Sequence, residues 1–219
     1  GDDVLELSGS LGSLADGGDG TDKVLLVGDT NKASLSRVEF VSGGEGFDEV
    51  LLTDEAGNDV TLEDVEKIVG SIGPEKLNIV TNDIEFISGG ADFDEVFLID
   101  KAGNDLSVEG VEKVIGSIGP EKLNITTNDI QSISGGGGID EIVLMDASGN
   151  TVNLDGVETV MGSAGNDSLT ITTSDLQSVS GGSGFDEVTL MKGSGNGVEF
   201  SGVEAVSGSA GDDVLKVNI

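Results

Sequence analysis

The chain has 219 residues, of which 36% are apolar, nearly all Val, Ile, Leu or Ala; with seven Phe, no Trp and no Tyr, any core must be thin and aliphatic. Ten Lys and Arg against 42 Asp and Glu leave a net charge of -32, which repels nucleic-acid phosphates and anionic lipid headgroups and makes cations the expected partners. The absence of Cys and His excludes disulfides, thiol chemistry and most zinc, copper or iron sites, so only oxygen ligands remain, and these suit a hard ion such as Ca2+.

The chain opens on Gly1-Asp2-Asp3-Val4, without a signal peptide or an initiator Met, and reads as a piece of a longer protein. Those residues are also a truncated copy of a nine-residue pattern: Gly at the first and fourth places, usually an acid at the sixth, an aliphatic at the eighth. A fuller copy is Gly17-Gly18-Asp19-Gly20-Thr21-Asp22-Lys23-Val24. From Val41-Ser42-Gly43-Gly44-Glu45-Gly46-Phe47-Asp48-Glu49-Val50 onward the pattern returns at 87–96, 133–142 and 179–188, a period of 46. A related segment, Gly70-Ser71-Ile72-Gly73-Pro74-Glu75-Lys76-Leu77, returns at 116–123, 162–169 and 208–215 with the same period. The expected organisation is one repeat solenoid over 1–219: a partial repeat 1–42, repeats 43–88, 89–134 and 135–180, and a partial repeat 181–219.

The sixth-place acids are Asp3, Asp22, Asp48, Glu75, Asp94, Glu121, Asp140, Asp167, Asp186 and Asp213, and from Asp48 their spacing alternates between 27 and 19. That alternation predicts an all-β parallel solenoid, β-roll or β-helix in kind, with short and long coils, two to each repeat. In the short coil, 77–79 alternates as a strand and Thr81-Asn82-Asp83 makes an Asx-type corner, repeated at 127–129 and 173–175. In the long coil, strands at 96–99 and 106–108 flank Lys101-Ala102-Gly103-Asn104, which predicts a small hairpin. The stretch 63–69 is rich in helix formers, but its counterpart Gly202-Val203-Glu204-Ala205-Val206 is dominated by β-branched residues, which favours strand.

The segment Gly43-Gly44-Glu45-Gly46-Phe47-Asp48-Glu49-Val50-Leu51 resembles the hemolysin-type nonapeptide of repeats-in-toxin (RTX) proteins, whose repeats bind calcium in a β-solenoid. Full matches lie at 17–25, 43–51, 135–143 and 181–189, while 162–170 and 208–216 lack only the second Gly. The family runs its nonapeptides back to back, whereas here further strand-bearing residues separate them. Carried across by motif position, the expected metal-binding residues are Asp3; Gly17, Gly20 and Asp22; Gly43, Gly46 and Asp48; Asp94; Gly135, Gly138 and Asp140; Gly162, Gly165 and Asp167; Gly181, Gly184 and Asp186; and Gly208, Gly211 and Asp213. The physical basis is separable from the resemblance: glycines at positive φ can turn carbonyl oxygens toward a point that the sixth-place carboxylate also reaches, and calcium takes six to eight oxygens. The competing account is a tight turn with a solvated acid. Repetition along one edge favours ions, because a bare carboxylate ladder repels itself.

Departures within the motif grade the sites. Pro74-Glu75-Lys76 and Pro120-Glu121-Lys122 work against ligation, as does Asp92 in the fourth place of its corner, so ions are expected toward both ends of the chain. The expected ligand pairs are Asp3 with Asp22, Asp22 with Asp48, Asp140 with Asp167, Asp167 with Asp186, and Asp186 with Asp213. Asn124-Ile125-Thr126 and Asn166-Asp167-Ser168 spell the N-glycosylation triplet but read as strand and corner, and the Thr runs at 126–127 and 170–173 read as strand faces, with an ice- or sugar-facing array as the alternative. No apolar run approaches the ~20 residues of a membrane span.

These features point to a calcium-binding structural or adhesive segment of a secreted or cell-surface bacterial protein: an adhesin stalk, a surface layer or an extracellular filament. Chemistry needs a unique constellation, and here nearly every residue has a counterpart one period away. A polysaccharide lyase or epimerase on a β-helix is the enzymatic alternative, weakened by a single Arg and no His or Tyr. A calcium-dependent module for cell-surface glycans is the other, weakened by the lack of Trp and Tyr. The motif falls at the same phase near both ends, which predicts head-to-tail association, Ile219 meeting Gly1, or continuation into further repeats.

Overall fold

A computed structural model describes residues 1–9, 12–193 and 195–218 and, among them, every regular element is a β-strand. Ile219, and with it the expected contact to Gly1, lies outside the described residues. The chain divides into two compact units, Gly1–Asp100 with Asn104–Val111, and Lys101–Gly103 with Glu112–Ile219.

The first unit carries β1 (Val4–Leu7), β2 (Ser13–Asp16), β3 (Lys23–Leu26), β4 (Thr30–Ser36), β5 (Phe40–Ser42), β6 (Phe47–Leu52), β7 (Asn58–Glu63), β8 (Lys67–Val69), β9 (Glu75–Ile79), β10 (Phe86–Ser88), β11 (Glu95–Leu98) and β12 (Asp105–Glu109). Its odd-numbered strands form one parallel sheet in chain order and its even-numbered strands a second. The backbone therefore crosses from sheet to sheet at every corner, two strands to a turn, as a parallel β-solenoid. Turn length varies modestly: Val60 pairs with Leu77, 17 residues on, and Val41 with Leu62, 21 on.

The second unit repeats the plan with β13 (Lys113–Ile115), β14 (Lys122–Ile125), β15 (Ser132–Ser134), β16 (Glu141–Leu144), β17 (Thr151–Asp155), β18 (Thr159–Met161), β19 (Ser168–Ile171), β20 (Ser178–Ser180), β21 (Glu187–Leu190), β22 (Gly197–Ser201), β23 (Ala205–Ser207) and β24 (Val214–Asn218). Odd and even strands again separate into two parallel sheets.

Strict alternation of side chains decides what each strand buries. In β6 the buried positions are Asp48, Val50 and Leu52, and in β16 they are Ile142 and Leu144. Registered columns such as Val50–Ile68–Ile87 in the first unit and Leu169–Val188 in the second are almost fully buried. Each such side chain contributes roughly 1.5–3 kcal/mol. The eighth-place aliphatics Val24, Val50, Leu77, Val96, Leu123, Ile142, Leu169 and Val188 all point into these cores, and among the described residues Phe200 is the only fully buried aromatic.

Two expectations change. The hairpin does not form: β11 and β12 flank the Lys101–Asn104 stretch but belong to different sheets, and the pairings run parallel throughout. The long coil is likewise not one enlarged turn. The step of 19 from Glu75 to Asp94 is a single turn, because Leu77 pairs with Val96, whereas the step of 27 from Asp48 to Glu75 crosses three strands, a turn and a half. A 46-residue repeat thus spans five strands. Five is odd, so within the first unit the repeat's Val41 lies in β5 of one sheet and its counterpart Ile87 in β10 of the other; Ile133 in β15 and Val179 in β20 divide likewise in the second. The stretch 63–69 is the end of β7, a tight corner around buried Val65, and β8, rather than a helix.

Candidate cation-binding corners

The sixth-place acids sit two residues before an inward aliphatic and share its face, so the pleat turns their carboxylates inward too. Asp22, Asp48, Glu75, Asp94, Glu121, Asp140, Asp167 and Asp186 are at most 2% exposed. They do not share one edge. In the first unit Asp3, Asp22, Glu75 and Asp94 lead into odd strands and Asp48 into an even one; in the second, Asp167 and Asp186 lead into odd strands and Glu121, Asp140 and Asp213 into even ones. The odd half-turn count of the repeat is the reason. Of the expected pairs, Asp3 with Asp22 and Asp167 with Asp186 are adjacent, while Asp22 with Asp48, Asp140 with Asp167, and Asp186 with Asp213 fall on opposite sides.

Adjacent corners are laced by an amide–carboxylate ladder. The Asp3 N–H donates to Asp22 Oδ1 at 2.7 Å, and the Asp22 N–H to Glu39 Oε2 at 2.7 Å. Asn31 donates through its backbone and side-chain nitrogens to Asp48 Oδ1, and the Asp48 N–H donates to Glu66 Oε2 at 2.6 Å. In the second unit Asn150 donates to Asp167 Oδ1, the Asp167 N–H to Asp186 Oδ1 at 2.8 Å, and the Asp186 N–H to Glu204 Oε2 at 2.8 Å. On its other side Glu121 N–H donates to Asp140 Oδ1 and Asp140 N–H to Glu158 Oε2, each at 2.7 Å. Bonds of this charge-assisted kind contribute about 1.5–3 kcal/mol each.

The ladder leaves a residue of unmet need. In the four corners that match the motif in full, Oδ2 of Asp22, Asp48, Asp140 and Asp186 is buried and has no hydrogen-bond partner. Each of these oxygens lies beside the first-place glycine: a Cβ on Gly17 or Gly43 would fall 2.7 Å from the Asp22 or Asp48 Oδ2, and on Gly181 2.6 Å from that of Asp186. The same Cβ would collide with a carbonyl oxygen of the next turn, from Arg37, Asp64 and Gly202 respectively, and from Gly156 in the Asp140 corner. The residues that carry those four carbonyls share one backbone state: Arg37 and Asp64 have φ of 52°, Gly156 58° and Gly202 56°. Arg37 and Asp64 are the two non-glycine residues with positive φ among the described residues, a conformation that strains an L side chain. Second- and fourth-place glycines of these corners, 18 and 20, 44 and 46, 136 and 138, 182 and 184, all have positive φ.

Each full-match corner therefore offers an unpartnered carboxylate oxygen, a carbonyl oxygen, and a glutamate from the next turn, Glu39, Glu66, Glu158 or Glu204. Burial drives the carboxyls of Asp48, Asp186 and, to about 6, Asp140 above the ordinary range. Glu66 and Glu158 rise as well, first through burial and further through the charge of Asp48 and Asp140. The donor set is all oxygen and deficient in positive charge, which fits a hard cation. Among the described residues no three acidic side chains converge on one point, so carbonyl oxygens must complete any coordination.

The near-matches differ. Their fourth-place glycines, Gly165 and Gly211, lack the positive φ of Gly20, Gly46, Gly138 and Gly184, and in second place Ser163 and Ser209 donate to Asp167 and Asp213. The Asp94 corner keeps positive φ at Gly90 alone, with Asp92 in fourth place. Sequence reasoning missed the glutamates, the left-handed carbonyl residues and the serines. A signal was present: Glu39, Glu66, Glu112, Glu158 and Glu204 recur in phase, and Arg37, Asp64, Gly110, Gly156 and Gly202 recur two residues earlier.

In comparisons with known proteins the chain matches no family model, no curated protein and no solved structure. Fold and corners together define a parallel β-solenoid repeat protein with internal carboxylate ladders.

Proposed function

We propose that the chain is a calcium-binding structural or adhesive segment of a secreted or cell-surface protein and that it is not an enzyme. The observation that carries the reading is the set of four buried Oδ2 atoms, of Asp22, Asp48, Asp140 and Asp186, that no protein donor meets. A bound Ca2+ would supply the positive charge these corners lack. The residues to hold it are each aspartate with its partner glutamate and the left-handed carbonyl beside it. A buried acceptor left without a partner costs about 1–3 kcal/mol, more when charged, so ion binding is coupled to folding. Repetition supports a spacer role: stability accumulates turn upon turn, and each corner has copies rather than a unique chemistry.

Isothermal titration of the chelator-treated chain with Ca2+, followed in parallel by thermal melts under circular dichroism, tests the reading. Saturable binding with a rise in melting temperature is expected, growing with free calcium as linkage requires. Identical melts in excess chelator and in millimolar calcium, with no heat of binding, would refute it.

A further inference from the structure

The two spellings of the corner, Gly-Gly and Gly-Ser, are two different structures. In the second unit they stand in adjacent turns, since the Asp167 N–H donates to Asp186 Oδ1. At Asp186 the preceding Gly181-Gly182 offers no donor to Oδ2, and Gly182 and Gly184 have φ of 101° and 124°. At Asp167 the serine takes over. The Ser163 N–H donates to Asp167 Oδ2 at 2.7 Å, its hydroxyl lies 3.2 Å from both carboxylate oxygens, and the same Oγ accepts the Gly165 N–H at 3.1 Å. Asn150 serves Oδ1 from the turn before. Ser163 is itself 7% exposed and Asp167 1%. The Asp213 corner carries the same bonds in a half-buried setting: the Ser209 N–H donates to Oδ2 at 2.6 Å, its hydroxyl lies 3.0 Å from Oδ1, Gly211 N–H donates back to Oγ, and Asn196 serves Oδ1. The Asp213 carboxyl is accordingly held below its ordinary range, foremost by Asn196, whereas that of Asp186 is raised by burial.

We infer that Ser163 and Ser209 are built-in substitutes for the cation, so that the carboxylates of Asp167 and Asp213 are met by protein donors alone and take no ion. Resting on the calcium reading above, this removes from the ligand set two aspartates that motif position alone would include. It also gives the serine a role no turn propensity requires: its hydroxyl bridges the acid and the fourth-place amide, in a loop without the positive φ of the Gly-Gly corner. Ser71 and Ser117 form the same bridge to Glu75 and Glu121, accepting from Gly73 and Gly119, but there Oε2 remains unpartnered. At Asp167 and Asp213 both carboxylate oxygens are met, and the atom left without a partner is the neutral Oδ1 of Asn150 or Asn196.

The test is hydrogen exchange by mass spectrometry on the whole chain, in calcium and in chelator, beside calorimetric stoichiometry. Amides at 181–187 are expected to exchange about tenfold faster in chelator, while those at 162–168 and 208–214 change little. Ser163→Gly, which spells the motif in full, should add one calcium equivalent and make 162–168 calcium-dependent. Ser163→Ala should loosen that corner in both conditions and add no ion. Calcium-dependent protection at Asp167 and Asp213 equal to that at Asp186 would overturn the inference and leave the calcium reading standing. Absence of binding anywhere would overturn both. Should Ser163→Gly fail to fold, the comparison of corners within the unaltered chain decides.

Discussion

Replacing Asp140 by Asn removes the charge but keeps the shape, and it separates the folding role of this carboxylate from its ion-binding role. Oδ1 of the new side chain still accepts the Glu121 N–H, which donates at 2.7 Å in the native chain. Its amide nitrogen replaces the bare Oδ2 and can donate to the Gly156 carbonyl, which converges with that oxygen on the missing Cβ of Gly135. Burial, with the Glu121 side chain adding to it, raises the Asp140 carboxyl from 3.8 to about 6, which sets an upper bound of ~3 kcal/mol on the disfavoured charge. Asp140→Asn is therefore expected to stabilise the chelated chain at pH 7.5 by up to ~3 kcal/mol, at ~2–4 °C per kcal/mol for a chain of this size. In saturating calcium the order should reverse, because the variant has lost a ligand. Paired thermal melts in chelator and in calcium measure both arms. A variant less stable than the native chain in chelator would show that Oδ2 is not an unmet acceptor and would refute the account of these corners.

The raised carboxyls also set the direction of the pH response. Asp48, Asp140, Asp186, Glu66 and Glu158 bind protons more tightly folded than unfolded, so their contribution is fully present below the ordinary carboxyl range and is lost as pH rises through the raised folded values, for Asp140 at about 6. Melts in chelator should therefore be higher at pH 4.5 than at pH 7.5, with calcium narrowing the gap; stability that climbs over this interval would contradict the assignment. At Gly43 a Cβ would overlap the Asp64 carbonyl and sit 2.7 Å from Asp48 Oδ2, whereas at Gly193 it would meet nothing within 4 Å. Gly43→Ala should cost at least ~1–3 kcal/mol in urea unfolding and Gly193→Ala almost nothing, and equal effects would discredit the close approach at the corner.

Much of this protein is determined by local pattern. Alternation at Val50 and Leu52, or at Ile142 and Leu144, places those side chains on one face whatever surrounds them, and the 46-residue period marks stacked copies of one supersecondary unit. The glycine at the first place and the acid at the sixth were legible as partners, and the structure brings Gly43 and Asp48 together. A period counted in residues, however, carries no parity. Whether 46 residues make an even or an odd number of strands depends on how tightly each corner turns, and the left-handed residues Arg37 and Asp64 that tighten two of them look ordinary in sequence. Only the tertiary structure decides that the count is five, which sends Asp48 and Asp94 to opposite sides. It alone also decides which acids are satisfied. Asp167 and Asp186 share a motif and a column, yet Oδ2 of one meets the Ser163 amide while the other meets no donor. That difference goes with the positive φ of Gly182 and Gly184 on one side and with the Ser163 amide and hydroxyl on the other, a matter of backbone conformation that no residue count carries.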